Sequence, residues 1–168
     1  LQLVWPELNV NVVSSTEQWA GAAIAGPKSR NLLQKLFPDL DVSNEGLPFM
    51  GYAEGNLFGV NAKIYRISFS GELAYEVNVQ SDNGNYMWEK IIEIGKEFNI
   101  QPYGTEALST LRIEMGHVAG SELDGRTIPY DNSLEGLISK KKDFIGKRSL
   151  SKKAYVAEDR QKIVGVVP

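Results

Sequence analysis

Ile67-Ser68-Phe69-Ser70-Gly71-Glu72-Leu73-Ala74-Tyr75-Glu76-Val77 reads as a strand, a tight turn at Gly71 and a second strand. On the second strand Leu73, Tyr75, Val77 and Val79 alternate with Ala74, Glu76 and Asn78. Successive strand side chains point to opposite faces, so the apolar set faces a core and Glu76 points the other way between small neighbours. A carboxylate placed there either accepts a ligand's N–H groups or faces water, as one side of an antiparallel sheet often does. Phe69 falls on the apolar Tyr65-Ile67-Phe69 face of the first strand, which suits a core position.

Upstream, Leu8 to Val12 alternates as a strand, Ser14 to Gln18 turns, and Trp19 to Ala25 reads as a small-residue strand returning beside it. Pro27 suits the first position of a helix whose stripe is Leu32, Leu33, Leu36 and Phe37, with Pro38 as its stop. Residues 41–49 form a turn-rich loop. Residues 50–58 and 60–69 read as strands separated near Gly59. The later one shifts phase between Ile64 and Tyr65, which signals a bulge or burial on both faces. Downstream, Ser81 and Asp82 offer N-caps to a helix carrying Trp88, Ile91, Ile92, Gly95 and Phe98 at helical spacing. After Gln101 to Gly104 a helix runs from Thr105 to Met115, its apolar face Leu108, Leu111 and Met115 flanked by Arg112. Residues 116–132 are irregular, a short helix lies near 146–154, and a strand spans 162–167. The mixture predicts an α+β fold, a mostly antiparallel sheet with helices packed on one face.

A chain of 168 residues, 42% hydrophobic, can bury a proper core. A net charge of −3 argues against a nucleic-acid binder that works by neutralising phosphates. The absence of cysteine excludes disulfides and thiolate metal sites, and the single histidine, His117, excludes a His-rich metal site; no metal is expected. No apolar run reaches the roughly 20 residues that span a bilayer and no secretory signal opens the chain, so the reading is a cytoplasmic protein off the membrane. Gly21 to Gly26 does not fit a dinucleotide fingerprint. The run Lys140-Lys141-Lys142 with Lys147 and Arg148 is a solvated charged face, or an attractor for a polyglutamate tail or a partner subunit. A start at Leu1 without Met, and an end at Val166-Val167-Pro168 where an apolar strand begins, read as a piece of a larger polypeptide.

The Phe69-to-Val77 block resembles the Tyr-Thr-Gly-Glu-x-Gly-x-Glu-Ile block of the glycine-cleavage T-protein (aminomethyltransferase) family. Leu108 to Gly116 is similar to its Asp-x-Leu-Arg-x-Glu-x-Gly helix, and Lys142 to Leu150 to its Asp-Phe-Ile-Gly-x-x-x-Leu segment. Phe69-Ser70 in place of Tyr-Thr, with Trp5-Pro6-Glu7-Leu8, Pro102 to Ala107 and Ser139 to Phe144, is closer to the sarcosine oxidase α-subunit branch; dimethylglycine dehydrogenase-like enzymes share the module. The resemblance implies tetrahydrofolate as cofactor. Glu76 matches the Glu that contacts the pterin, Arg112 the folate-contacting Arg, and Phe69 the Tyr lining the site. From the residues alone, Arg112 serves equally as an internal ion-pair partner for Glu114 or Glu72. The resemblance also implies that residues 1–135 form the folate-binding domain and 136–168 lead into a truncated C-terminal barrel. The family's general-base Asp lies upstream of the match, so no catalytic residue is expected here, and the segment alone should hold half a site. Flavin, NAD and further subunits of a hetero-oligomeric oxidase are expected elsewhere. The alternatives are an aminomethyltransferase, or a non-catalytic folate-binding or scaffolding module.

Overall fold

The computed structural model describes residues 3–166. It divides into two units, residues 1–108 and 109–168.

In the first unit β1 (Trp19–Ala25), β2 (Tyr52–Leu57), β3 (Val60–Tyr65) and β4 (Ala74–Gln80) form one sheet in the order β1-β4-β3-β2. Every pairing is antiparallel. The alternation expected of β4 is present: Tyr75, Val77 and Val79 are fully buried, while Glu76 and Asn78 are half-buried on the other face. On the buried side Ile24, Leu57 and Ile64 join them, closed by Leu32, Leu33 and Leu36 of α1 (Ser29–Leu36) and by Met87 and Ile91 of α2 (Gly84–Gly95). Both helices therefore cover one face, and the α+β expectation holds.

Several boundaries differ from the pattern. Leu8 to Val12 is not a strand, and the partner of β1 is β4, not this segment. The Ile67–Phe69 strand is also absent: β3 ends at Tyr65, residues 66–68 are irregular and 69–73 form bends. The ladder between β3 and β4 stops at the Tyr65–Glu76 pair, and the chain beyond it leaves the sheet; at the start of β4 the Leu73 carbonyl accepts the Gly26 N–H at 2.9 Å and the Ser29 hydroxyl at 2.8 Å. The apparent phase shift at Ile64 and Tyr65 is this strand end. Phe69 is accordingly 40% exposed and not core. Neither Ser81 nor Asp82 caps α2, since no side chain makes the cap bond. The α2 stripe runs through Met87, Ile91 and Gly95, leaving Trp88 half exposed. Gly95 is required there: a Cβ would stand 2.6 Å from Ile100 Cγ2. Buried Tyr75 satisfies its hydroxyl by accepting from Arg30 Nε at 3.1 Å.

The helix predicted from Thr105 appears as α3 (Thr105–Glu114), which crosses the division between the units. None of its residues is fully buried, and Met115 is exposed. The second unit is loop-rich, with short 3-10 turns at Gly120–Leu123, Lys147–Ser151 and Lys153–Tyr155. The stretch 162–166 is not a strand, and Val167 of that expectation lies outside the described residues.

Ile64→Ala should destabilise the first unit by about 2–5 kcal/mol, because it empties a site with no exposed surface. Exposed Ile113→Ala on α3 should change stability by about 0.5 kcal/mol or less. Urea unfolding of the two variants against the parent measures the contrast.

Candidate functional site

The sheet face not covered by helices carries the polar half of each strand. In register across it run Ala23, Glu76, Tyr65 and Tyr52 in one row, and Gly21, Asn78, Lys63 and Glu54 in the next. Beyond these, Trp19 pairs with Gln80, and Asn61 with Asn56. Glu76 thus stands on an inner strand between a methyl group and an aromatic ring. Among the described residues its carboxylate makes no hydrogen bond and no ion pair. A half-buried carboxylate beside an aromatic ring is a strong acceptor for paired N–H donors.

Around it the face is aromatic and ordered. The Tyr52 and Tyr65 rings sit 5.1 Å apart at 42°. The Tyr52 hydroxyl donates to Glu54, and that carboxylate pushes the phenol pKa up to about 12, keeping it a donor. Lys63 Nζ lies 3.9 Å from the Trp19 ring centroid. These five aromatic and charged neighbours were not legible as site residues in the sequence, because strand register brings them onto the Glu76 face.

Phe69 lies in the 66–73 connection of the same unit, next to Ser70, whose buried hydroxyl has no hydrogen-bond partner among the described residues. Arg112 belongs to the second unit. Its partner there is neither Glu114 nor Glu72 but Glu122: Nη1 donates to Glu122 Oε2 at 2.7 Å and to the His117 carbonyl at 3.1 Å. The Glu122 carboxylate also accepts the Ala119 N–H at 2.9 Å and is lowered to about 2, first by that backbone bond and then by Arg112. The Arg112 side chain keeps only 15% of its surface exposed.

A second pair fastens the rest of this unit. Arg160 Nε donates to Asp131 Oδ1 at 2.8 Å, with Nη2 on Oδ2. Asp131 also accepts the Ile128 N–H at 2.8 Å through its side chain and the Ile163 N–H at 2.8 Å through its carbonyl. Arg160 holds the Asp131 carboxyl down to about 2. No group of three His, Cys, Asp or Glu side chains suited to a metal occurs among the described residues. None of their helices is long and apolar enough to cross a membrane.

Both lowered carboxylates act in one direction. Their contribution to stability is full above their ordinary values of 4.5 and 3.8, and is lost as pH falls toward about 2. Amide hydrogen exchange at Ala119 and Ile128 should accelerate between pH 4.5 and 2, with Glu122→Gln and Asp131→Asn abolishing most of that dependence at their own amides.

The chain also has recognisable relatives. Residues 1–142 match the model of the GCVT N-terminal domain. Over 170 residues covering all of this chain, it is 48% identical to the sarcosine oxidase subunit alpha of Corynebacterium sp. (strain P-1), of which it spans 18%. The corresponding subunit of Rhizobium meliloti (strain 1021) is 46% identical over 99% of this chain and 17% of its own length. An aminomethyltransferase of Halothermothrix orenii is 33% identical over 84% of this chain and 39% of its own. The chain therefore spans less than a fifth of the sarcosine oxidase subunits it resembles. It belongs to the GCVT N-terminal domain family.

Proposed function

We propose that this chain is the tetrahydrofolate-binding, one-carbon-transfer portion of a sarcosine oxidase α subunit, whose full-length form oxidatively demethylates sarcosine to glycine. The observation that carries this reading is the unpartnered, half-buried carboxylate of Glu76 on the open face of the central sheet. The donor set suits a pterin: its N–C–NH₂ edge presents two parallel N–H groups, which an ionised carboxylate accepts as a pair. Bound tetrahydrofolate would supply the secondary amine that takes up the one-carbon unit. The chain's own residues bind and orient. Glu76 fixes the heterocycle's edge. Phe69, lacking the hydroxyl of the family's Tyr, offers an aromatic wall. Arg112, whose Nη1 holds Glu122, is the residue that matches the family's folate-contacting Arg.

The 46–48% identity to two sarcosine oxidase subunits over essentially the whole chain supports this branch over an aminomethyltransferase at 33%. On this reading residues 1–135 form the folate-binding domain, 136–168 lead toward a further barrel, and flavin, NAD and partner subunits belong to the rest of a hetero-oligomer. A second reading, a non-catalytic scaffold, draws on the Arg112–Glu122 pair, which gives Arg112 a structural duty of its own.

Titrating tetrahydrofolate into the full-length subunit separates the two. Glu76→Ala and Arg112→Ala should each weaken binding about tenfold to a hundredfold, the value of one charge-assisted hydrogen-bonding group, with circular dichroism unchanged. Unchanged affinity in both variants would leave the scaffold reading. Loss in Glu76→Ala alone would assign Arg112 to structure.

A further inference from the structure

The open sheet face has a second charged feature that the pterin contact does not use. Lys63 is on β3 and Trp19 on β1, with β4 between them. To bring Nζ to 3.9 Å from the Trp19 ring centroid, the lysine side chain crosses over β4, the strand that carries Glu76. Glu54 stands directly opposite Lys63 on β2, yet it accepts the Tyr52 hydroxyl and forms no ion pair with Lys63 among the described residues. The ammonium is therefore held by a cation–π contact, its charge unneutralised by a carboxylate. A cavity of about 530 Å³ opens beside it, whose polar lining is Asn61, Lys63, Gln80 and Asn83 together with the Glu54 carboxylate that the Tyr52 hydroxyl engages.

Along β4 the Glu76 row and the Gln80 row are four residues apart, about 13 Å at strand rise. One strand thus runs beneath a carboxylate at one end and an ammonium at the other. The occupant that this bipolar face fits is elongated, with N–H donors at its head and carboxylates at its tail.

We propose that Lys63, fixed over Trp19, forms the subsite for the anionic γ-glutamyl tail of the folate whose pterin Glu76 receives. The proposal rests on the folate reading of Glu76 and adds a residue that discriminates folates by tail charge. Amide side chains of Asn61, Gln80 and Asn83 give the tail's peptide groups partners in the same cavity. Trp19 sets the position of the charge, and the ligand's carboxylates use the N–H donors that the ring leaves open.

The test compares two probes on the full-length subunit, tetrahydrofolate triglutamate and a tetrahydropterin without the tail. Lys63→Met should weaken triglutamate binding about tenfold and flatten its salt dependence, while tetrahydropterin affinity stays at the parent value. Thermal melting of the variant checks that the sheet is intact. An equal effect on both probes, or none on the triglutamate, overturns the Lys63 subsite. Loss of tail dependence on changing Lys140, Lys141 and Lys142 to Ala, and not on Lys63→Met, overturns it as well. Glu76→Gln distinguishes the premise: weakened binding of both probes upholds the pterin contact, and no effect on either overturns the folate reading together with the subsite.

Discussion

The constraint on which the first unit depends is the two-sidedness of β4. Tyr75, Val77 and Val79 are sealed beneath α1 and α2, and burying such side chains contributes roughly 1.5–3 kcal/mol each. Because strand side chains alternate strictly, that burial forces Ala74, Glu76 and Asn78 onto the opposite face. A slip of one residue would sink a carboxylate into the core. The polar face is therefore held in position by the energetics of the apolar one. Arg30 adds a polar latch by satisfying the Tyr75 hydroxyl, which would otherwise be costly to bury.

The second unit is held differently. It has no sheet, and its only buried apolar side chain among the described residues is Ile128. Two arginine–carboxylate pairs hold its loops, and each carboxylate also accepts a backbone N–H. Glu122 contributes further through its carbonyl, which accepts from Thr127 at 2.8 Å and from Asn132 at 3.1 Å. Such a network is sensitive to proton concentration where a hydrophobic core is not. Arg112 is at once a member of that network and the residue that resembles a folate contact, so its substitution tests two duties together, whereas Glu76 tests one.

The same alternation gives the open face its chemical character. Ala23 and Gly21 keep β1 low beside Glu76 and Asn78, and a Cβ at Gly21 would come within 2.7 Å of Asn78 Oδ1. The tyrosine pair, the Glu54 acceptor and the Lys63–Trp19 stack rise around that low strand. Charge is thereby distributed along one direction of the sheet, with a free carboxylate at one end and a cation–π-held ammonium toward the other.

The sequence by itself determined that Tyr75, Val77 and Val79 of β4 are core, the existence of a helix with the stripe Leu32, Leu33, Leu36 and Phe37, the family blocks around Glu76 and Arg112, and the α+β class. Each is a local property, written in period or contiguous motif; Pro27, expected at the first helical position, instead lies in the turn before α1, which begins at Ser29. It misjudged Leu8 to Val12 and Ile67 to Phe69, where alternation exists but the segment does not join the sheet, and Trp88, where the neighbouring Met87 faces the core instead. Tertiary structure alone decided that Glu122 is the partner of Arg112, that Asp131 meets Arg160, and that Tyr65, Tyr52, Lys63 and Trp19 share a face with Glu76. Those pairings join residues from different turns and strands, and their register is fixed by burial of the opposite face, a condition that no single stretch of sequence contains.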